Sequence, residues 1–122
     1  MSCVKAYSLP KSRRLSNEEA FAAVFRFQHQ ASSQHVQIYA RPNNLPNSRL
    51  GLVVSKKVER SAVKRNRIKR LFRETFRTSQ TDNDWVAMDW IMRLKRPVAK
   101  KDSVQFVAEI RLLMNQLQQC HD

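Results

Sequence analysis

Between Ala62 and Arg77 the chain reads AVKRNRIKRLFRETFR, sixteen residues of which seven are Lys or Arg, and its apolar residues keep helical spacing. At about 100° per residue, Ile68, Leu71, Phe72 and Thr75 fall on one side of a helix. Asn66, Lys69, Arg70, Arg73 and Arg77 fall together on the other, with Arg65 and Arg67 flanking them. Ser61 stands where the N-cap belongs. A helix sorted in this way must lay its apolar side on another layer and hold its cations outward. Only Glu74 lies among those cations, and like charges one turn apart cost a helix about 0.2–0.5 kcal/mol per pair. The compensation has to come from outside the helix. Phosphates suit, because guanidinium groups present a planar fork to phosphate oxygens and Asn adds hydrogen bonds to sugar or base edges.

The layer that receives this helix is legible on either side of it. In HVQIYAR, Val36, Ile38 and Ala40 point one way while Gln37, Tyr39 and Arg41 point the other, the alternation of a strand with one core face. PNNLPNS is turn chemistry and predicts a hairpin-like connection to the next strand. That strand, RLGLVVSKK, puts Leu50, Leu52 and Val54 on one face and Gly51, Val53 and Ser55 on the other, then runs into Lys56 and Lys57. DWVAMDWIMRL reads as a largely buried strand with Trp90, Met92 and Leu94 on one side. Two more helices complete the set. The first begins at a capping box formed by Ser16 and Glu19 and carries Ala20, Phe21, Val24 and Phe25 at helical spacing. The last, Ser103 to Gln119, has Asp102 as its cap and a core stripe of Phe106, Val107, Ile110, Leu113, Met114 and Leu117. The fold class is α+β, a two-layer α/β sandwich with a small central sheet and three helices.

The 122 residues suffice for one domain, 1–122, with a core of its own and no disulfide or metal staple. Residues 1–14 are basic and aperiodic, an extended arm. Cys3 and Cys120 have no Cys-x-x-Cys context and read as free thiols, and His29, His35 and His121 lack metal-ligand spacing, so no metal site is expected. No apolar run approaches the ~20 residues of a membrane span, and AFAAVF lacks the flanks and cleavage site of a signal peptide. The chain is expected to be cytoplasmic. A net charge of +13 makes a polyanion the leading partner; RNA, DNA, a ribosome-sized assembly and an anionic membrane surface all satisfy charge alone. A DNA-binding regulator and a ribosomal-type structural protein are the rival readings, although no helix-turn-helix partner precedes the basic helix.

RNRIKR, standing behind GLVVSKKV and AVK and followed by RETFR, closely resembles the arginine-asparagine-arginine motif of the protein subunit of bacterial ribonuclease P. The likeness extends over nearly the whole chain, from a Phe-x-x-x-Phe helix through QIYA to DWIMRL and a terminal helix. It implies an RNA-based endoribonuclease that removes the 5′ leader of precursor transfer RNA, with magnesium-dependent hydrolysis performed by a catalytic RNA subunit. No catalytic residue, resident cofactor or protein partner is implied for the chain itself. The resemblance places Arg65, Asn66, Arg67, Lys69, Arg70 and Arg73 against the catalytic RNA. It places Phe21, Phe25, Tyr39, Ser55, Lys56 and Lys57 along the leader. On spacing alone, Phe21 and Phe25 read as core residues, whereas Tyr39 shares the polar strand face with Gln37 and Arg41. The family also implies a left-handed β-α-β crossover around the basic helix, against the usual hand.

Overall fold

The computed structural model describes residues 13–15, 17–79 and 86–119. Cys3, Cys120, His121, Ser16 and most of the expected basic arm lie outside them. Helix α1 (Glu18–Phe27) starts one residue later than the sequence pattern suggests. Asn17 is its cap: the side-chain oxygen accepts from the backbone N–H of Glu19 at 2.7 Å and of Ala20 at 3.4 Å. This replaces the expected Ser16–Glu19 box, and it leaves Glu18 and Glu19 in the first turn, at the positive end of the helix dipole.

Four strands follow the alternation closely but pair in an unexpected order. β1 (Gln30–Ser32), β2 (Val36–Pro42), β3 (Arg49–Val53) and β4 (Met88–Leu94) form one sheet in the order β1-β2-β4-β3. β4 runs antiparallel to β2 and parallel to β3. β2 and β3 are therefore not a hairpin. The turn residues between them do turn the chain, with Asn44 at φ 55° and the Asn43 side-chain oxygen accepting the Leu45 N–H at 2.9 Å, but they leave a gap that β4 fills. β4 takes the centre because most of it is buried on both faces: Met88, Trp90, Met92 and Leu94 go to one core and Ile91 to another, with Asp89 buried on the same face as Ile91. The junction is locked by Asp89, 1% exposed, which accepts from Arg49 Nε at 2.8 Å, Arg49 Nη2 at 2.6 Å and Asn43 Nδ2 at 2.9 Å.

α2 (Ala62–Ser79) makes the crossover from β3 to β4, and α3 (Ser103–Gln119) packs beside it. Ser61 caps α2, its hydroxyl accepting the Lys64 N–H at 3.3 Å. Ile68, Phe72, Thr75 and Phe76 are buried, and with Phe106, Ile110, Met114 and Leu117 of α3 they cover the face that carries Val36, Ile38, Ala40, Leu50, Trp90 and Met92. Asp102 does not cap α3: it ends a 3-10 turn, Lys100–Asp102, that runs straight into the helix. α1 crosses the opposite face of the sheet, over the smaller cluster of Val24, Ile91 and Leu15.

α3 is also tied to the β1–β2 turn. Glu109 accepts from the Ser33 hydroxyl at 2.5 Å, from the His35 backbone N–H at 3.3 Å and pairs with His35 Nδ1 at 2.8 Å. Burial pushes the Glu109 carboxyl up, but the bonds from Ser33 and His35 and the His35 charge outweigh it and hold the group below its ordinary value of 4.5. A depressed carboxylate stabilises the fold above its unfolded pKa and loses that contribution as pH falls through the folded one. Melting temperature is thus expected to drop as pH falls below about 4.5, and Glu109→Gln should flatten that acid limb while lowering the melting point at pH 7. A wild-type acid limb unchanged by Glu109→Gln refutes the assignment.

Candidate nucleic-acid interface

The cations of α2 are sorted as the helical wheel requires, but they do not all face outward in the same way. Asn66, Arg70 and Arg77 are exposed, and Lys69 and Arg73 are half-buried. Arg65 and Arg67 turn back on the chain. Arg65 Nη1 donates to the carbonyls of Glu59 at 3.0 Å and Arg60 at 2.9 Å, and Arg67 Nη2 donates to that of Val98. These two arginines brace the loops on either side of the helix start while adding charge to it. Arg67 Nε is buried with no hydrogen-bond partner among the described residues. Burial, and then the neighbouring Arg70 charge, push the Arg73 guanidinium down from its usual value; it stays a cation at any physiological pH.

On the other face of the sheet, register builds an aromatic surface. Tyr39 of β2 pairs with Ile91 of β4, and Ile91 with Gly51 of β3, so the three form one row across the sheet. α1 lies along that row. The Phe25 ring meets Tyr39 edge-on at 4.7 Å between centroids, and Phe21 follows at 6.4 Å from Phe25. Phe25 is 39% exposed and Tyr39 half-buried, so both present ring surface to solvent beside the core they cover. The next row carries Gln37, Arg93 and Val53. Arg93 is exposed and adds a cation that the sequence pattern alone did not single out; its signal was available in the alternation of β4, where it is the one charged residue between Met92 and Leu94. Beyond β3, Ser55, Lys56 and Lys57 are exposed in the turn that leads to α2.

The two surfaces meet at the β3 edge. A cleft of about 320 Å³ there is lined by Phe21, Gly51, Leu15 and Leu52, with Arg14 from before α1 and Arg73 from α2. Residues 13–15 run along this edge: Leu15 N–H donates to the Leu50 carbonyl at 2.8 Å, Arg14 bridges Leu50, and Arg13 lies 5.6 Å over the Phe76 ring. Aromatic rings beside guanidinium groups suit a single-stranded nucleic acid, whose bases stack on rings while its phosphates meet cations. The model of the ribonuclease P family matches residues 9–118 of this chain.

The chain belongs to the ribonuclease P family. It is 38% identical to the ribonuclease P protein component of Chromobacterium violaceum over 117 residues, covering 96% of this chain and 95% of that one. It is 41% identical to that of Nitrosomonas eutropha, covering 94% and 95%. Among solved structures it is similar to the Staphylococcus aureus RNase P protein, with a TM-score of 0.75 at 26% identity over 87% of this chain and 95% of that one. The RNase P protein of Thermotoga maritima, solved in complex with 1-(4-fluorophenyl)-2-thiourea, matches with a TM-score of 0.65 at 26% identity over 89% and 100%. The mixed four-stranded sheet with three helices is the α+β fold of these ribonuclease P proteins. As a member of the family, the chain serves transfer RNA 5′ maturation as the RNA-associated protein subunit of an endoribonuclease. Family membership sets aside the DNA-regulator and ribosomal-protein readings. No helix among the described residues is long and apolar enough to cross a membrane.

Proposed function

We propose that the chain acts as one RNA-binding domain, residues 1–122, in the cytoplasm, and grips two RNAs at once. Arg65, Asn66, Arg67, Lys69, Arg70 and Arg73 face the catalytic RNA subunit. Phe21, Phe25 and Tyr39, with Ser55, Lys56 and Lys57, receive the 5′ leader of precursor transfer RNA. The observation that carries this reading is the cleft where Phe21 and Arg73 stand together, because it joins the aromatic surface to the cationic helix without a gap. A strand leaving the catalytic RNA's side would pass directly onto the rings.

Magnesium belongs to the RNA in this scheme. Among the described residues no three His, Cys, Asp or Glu side chains gather as a metal site. The buried carboxylate of Asp89 is taken by Arg49 and Asn43, and Glu109 by Ser33 and His35, so these two carboxylates are engaged in holding the fold. The protein's part is to bind and orient.

Reconstitution with the catalytic RNA and magnesium tests the division of labour. Tyr39→Ala and Phe25→Ala are each expected to weaken binding of leader-bearing precursor by about 1–3 kcal/mol, the worth of one base stacked on a ring. Binding of mature transfer RNA and of the catalytic RNA should stay as in the wild type. Phe25 is partly exposed, so its truncation should cost less than the ~3–5 kcal/mol of a sealed core Phe. RNA-free protein should leave the precursor intact. Equal losses for precursor and mature forms, or cleavage by RNA-free protein, would refute the reading.

A further inference from the structure

Gly51 is the only glycine in the chain, and it stands in the middle of β3, where glycine is disfavoured for lack of a side chain to pack. Its backbone does not call for glycine, since its φ is not positive. What excludes a side chain is space. A carbon added at its Cβ position would stand 2.5 Å from Phe21 Cζ, 2.9 Å from Phe21 Cε1 and 3.2 Å from the Leu15 carbonyl oxygen, against the roughly 3.5–4.0 Å at which carbons rest in contact. The Phe21 ring therefore occupies the volume that every other amino acid would fill.

The row across the sheet shows what the missing side chain does. Tyr39, Ile91 and Gly51 are register partners from β2 through β4 to β3, and their side chains shrink in that order from a ring to a branched chain to nothing. α1 answers with Phe25 against Tyr39 and with Val24 in the Ile91 cluster, and the Phe21 ring drops into the step over Gly51. The step lowers Phe21 to the sheet, beside Leu15 and Arg73 in the edge cleft, while keeping it 6.4 Å from Phe25. An alanine there would push the ring outward by about 1 Å, by the contact distances above, into the cleft it now lines.

We propose that Gly51 is a positioning residue for leader recognition, seating the Phe21 ring and acting only through it. The inference rests on the aromatic-cleft reading above and adds the residue that sets the height of one end of the cleft. It assigns no contact between Gly51 and RNA.

The test is a double-mutant cycle in the holoenzyme reconstituted with catalytic RNA and magnesium, comparing affinity for precursor with that for mature transfer RNA. Phe21→Ala and Gly51→Ala should each weaken precursor binding by between about 5-fold and 150-fold, the range for one base no longer stacked on a ring, with mature transfer RNA and catalytic-RNA affinities unchanged. Gly51→Ala combined with Phe21→Ala should be no worse than Phe21→Ala alone, because the seat has no use without its ring. Losses that multiply in the double variant, or full precursor affinity in Gly51→Ala where Phe21→Ala has lost it, overturn the proposal and leave the cleft reading standing. Full precursor affinity in Phe21→Ala overturns Phe21's place in the cleft and the proposal with it. Should Gly51→Ala fail to fold, the double variant decides: recovery of the Phe21→Ala melting point and precursor affinity supports the seat, and continued failure to fold refutes it by placing the clash in the backbone at Leu15.

Discussion

Asp89→Ala is expected to lower the unfolding free energy by about 3 kcal/mol, the lower end of what breaking a buried ion pair costs, because half-buried Arg49 still reaches solvent. In a domain of this size that corresponds to a drop of roughly 10–15 °C in melting temperature. Asp89 holds three donors from two other segments: two from Arg49 of β3 and one from Asn43 in the connection after β2. Its bond to Arg49, first, and its charge raise the pKa of the Arg49 guanidinium against the opposing effect of burial. Removing the carboxylate leaves those donors facing each other across the strand that joins both halves of the sheet. Asp89→Asn keeps the shape and two acceptor lone pairs, and should cost clearly less. Calorimetric melts of the two variants check the order; equal losses would show that the charge locks the junction and that shape and the remaining lone pairs contribute little.

Lys69→Ala combined with Arg70→Ala should weaken assembly with the catalytic RNA and lower its salt dependence. For every phosphate no longer neutralised, the log–log salt slope should fall by about 0.7–0.9, which at 0.1 M salt is roughly five- to eightfold in affinity. Arg65→Ala combined with Arg67→Ala should also loosen the loops beside the helix start, because those side chains hold the carbonyls of Glu59, Arg60 and Val98. That pair is expected to lose salt-dependent affinity and a few degrees of stability together. Titrations at several salt concentrations beside thermal melts separate the two cases. An unchanged slope in the folded Lys69/Arg70 variant would put the exposed side of α2 away from RNA.

What could be read from the residues, and what could not, divides along a physical line. Val36, Ile38 and Ala40 were placed on the core side by a period of two, and Ile68 and Phe72 by a period of 3.6, because burial of one face imposes its period on the sequence. Partner choice leaves no such mark. PNNLPNS states that the chain turns, and nothing in it says that a strand forty residues later will enter the gap. β1, only three residues long, was too short to show a period in the sequence. The cap at Asn17 in place of Ser16 is a one-residue shift between two residue types that cap equally well. For the candidate site, the wheel put Arg65 and Arg67 on the flanks of the cationic face, but the carbonyls that hold them come from loops whose position only the folded chain settles. Gly51 stood on the correct strand face; that its neighbour there would be Phe21 required the approach of α1.

The strand order has a consequence for the chain as it is made. β2 and β3 share no hydrogen bonds, and both wait for β4, the last strand to be synthesised, to link them. Until residue 94 has left the ribosome, the nascent chain holds the β1–β2 pair and the lone strand β3, both with open edges, and a complete polybasic helix that has no central strand beneath it. Such non-local pairing delays folding, since the loop between β2 and β4 must close before any contact repays it. Synthesis therefore delivers the polybasic charge before the scaffold that orients it, in the presence of the most abundant RNA in the cell.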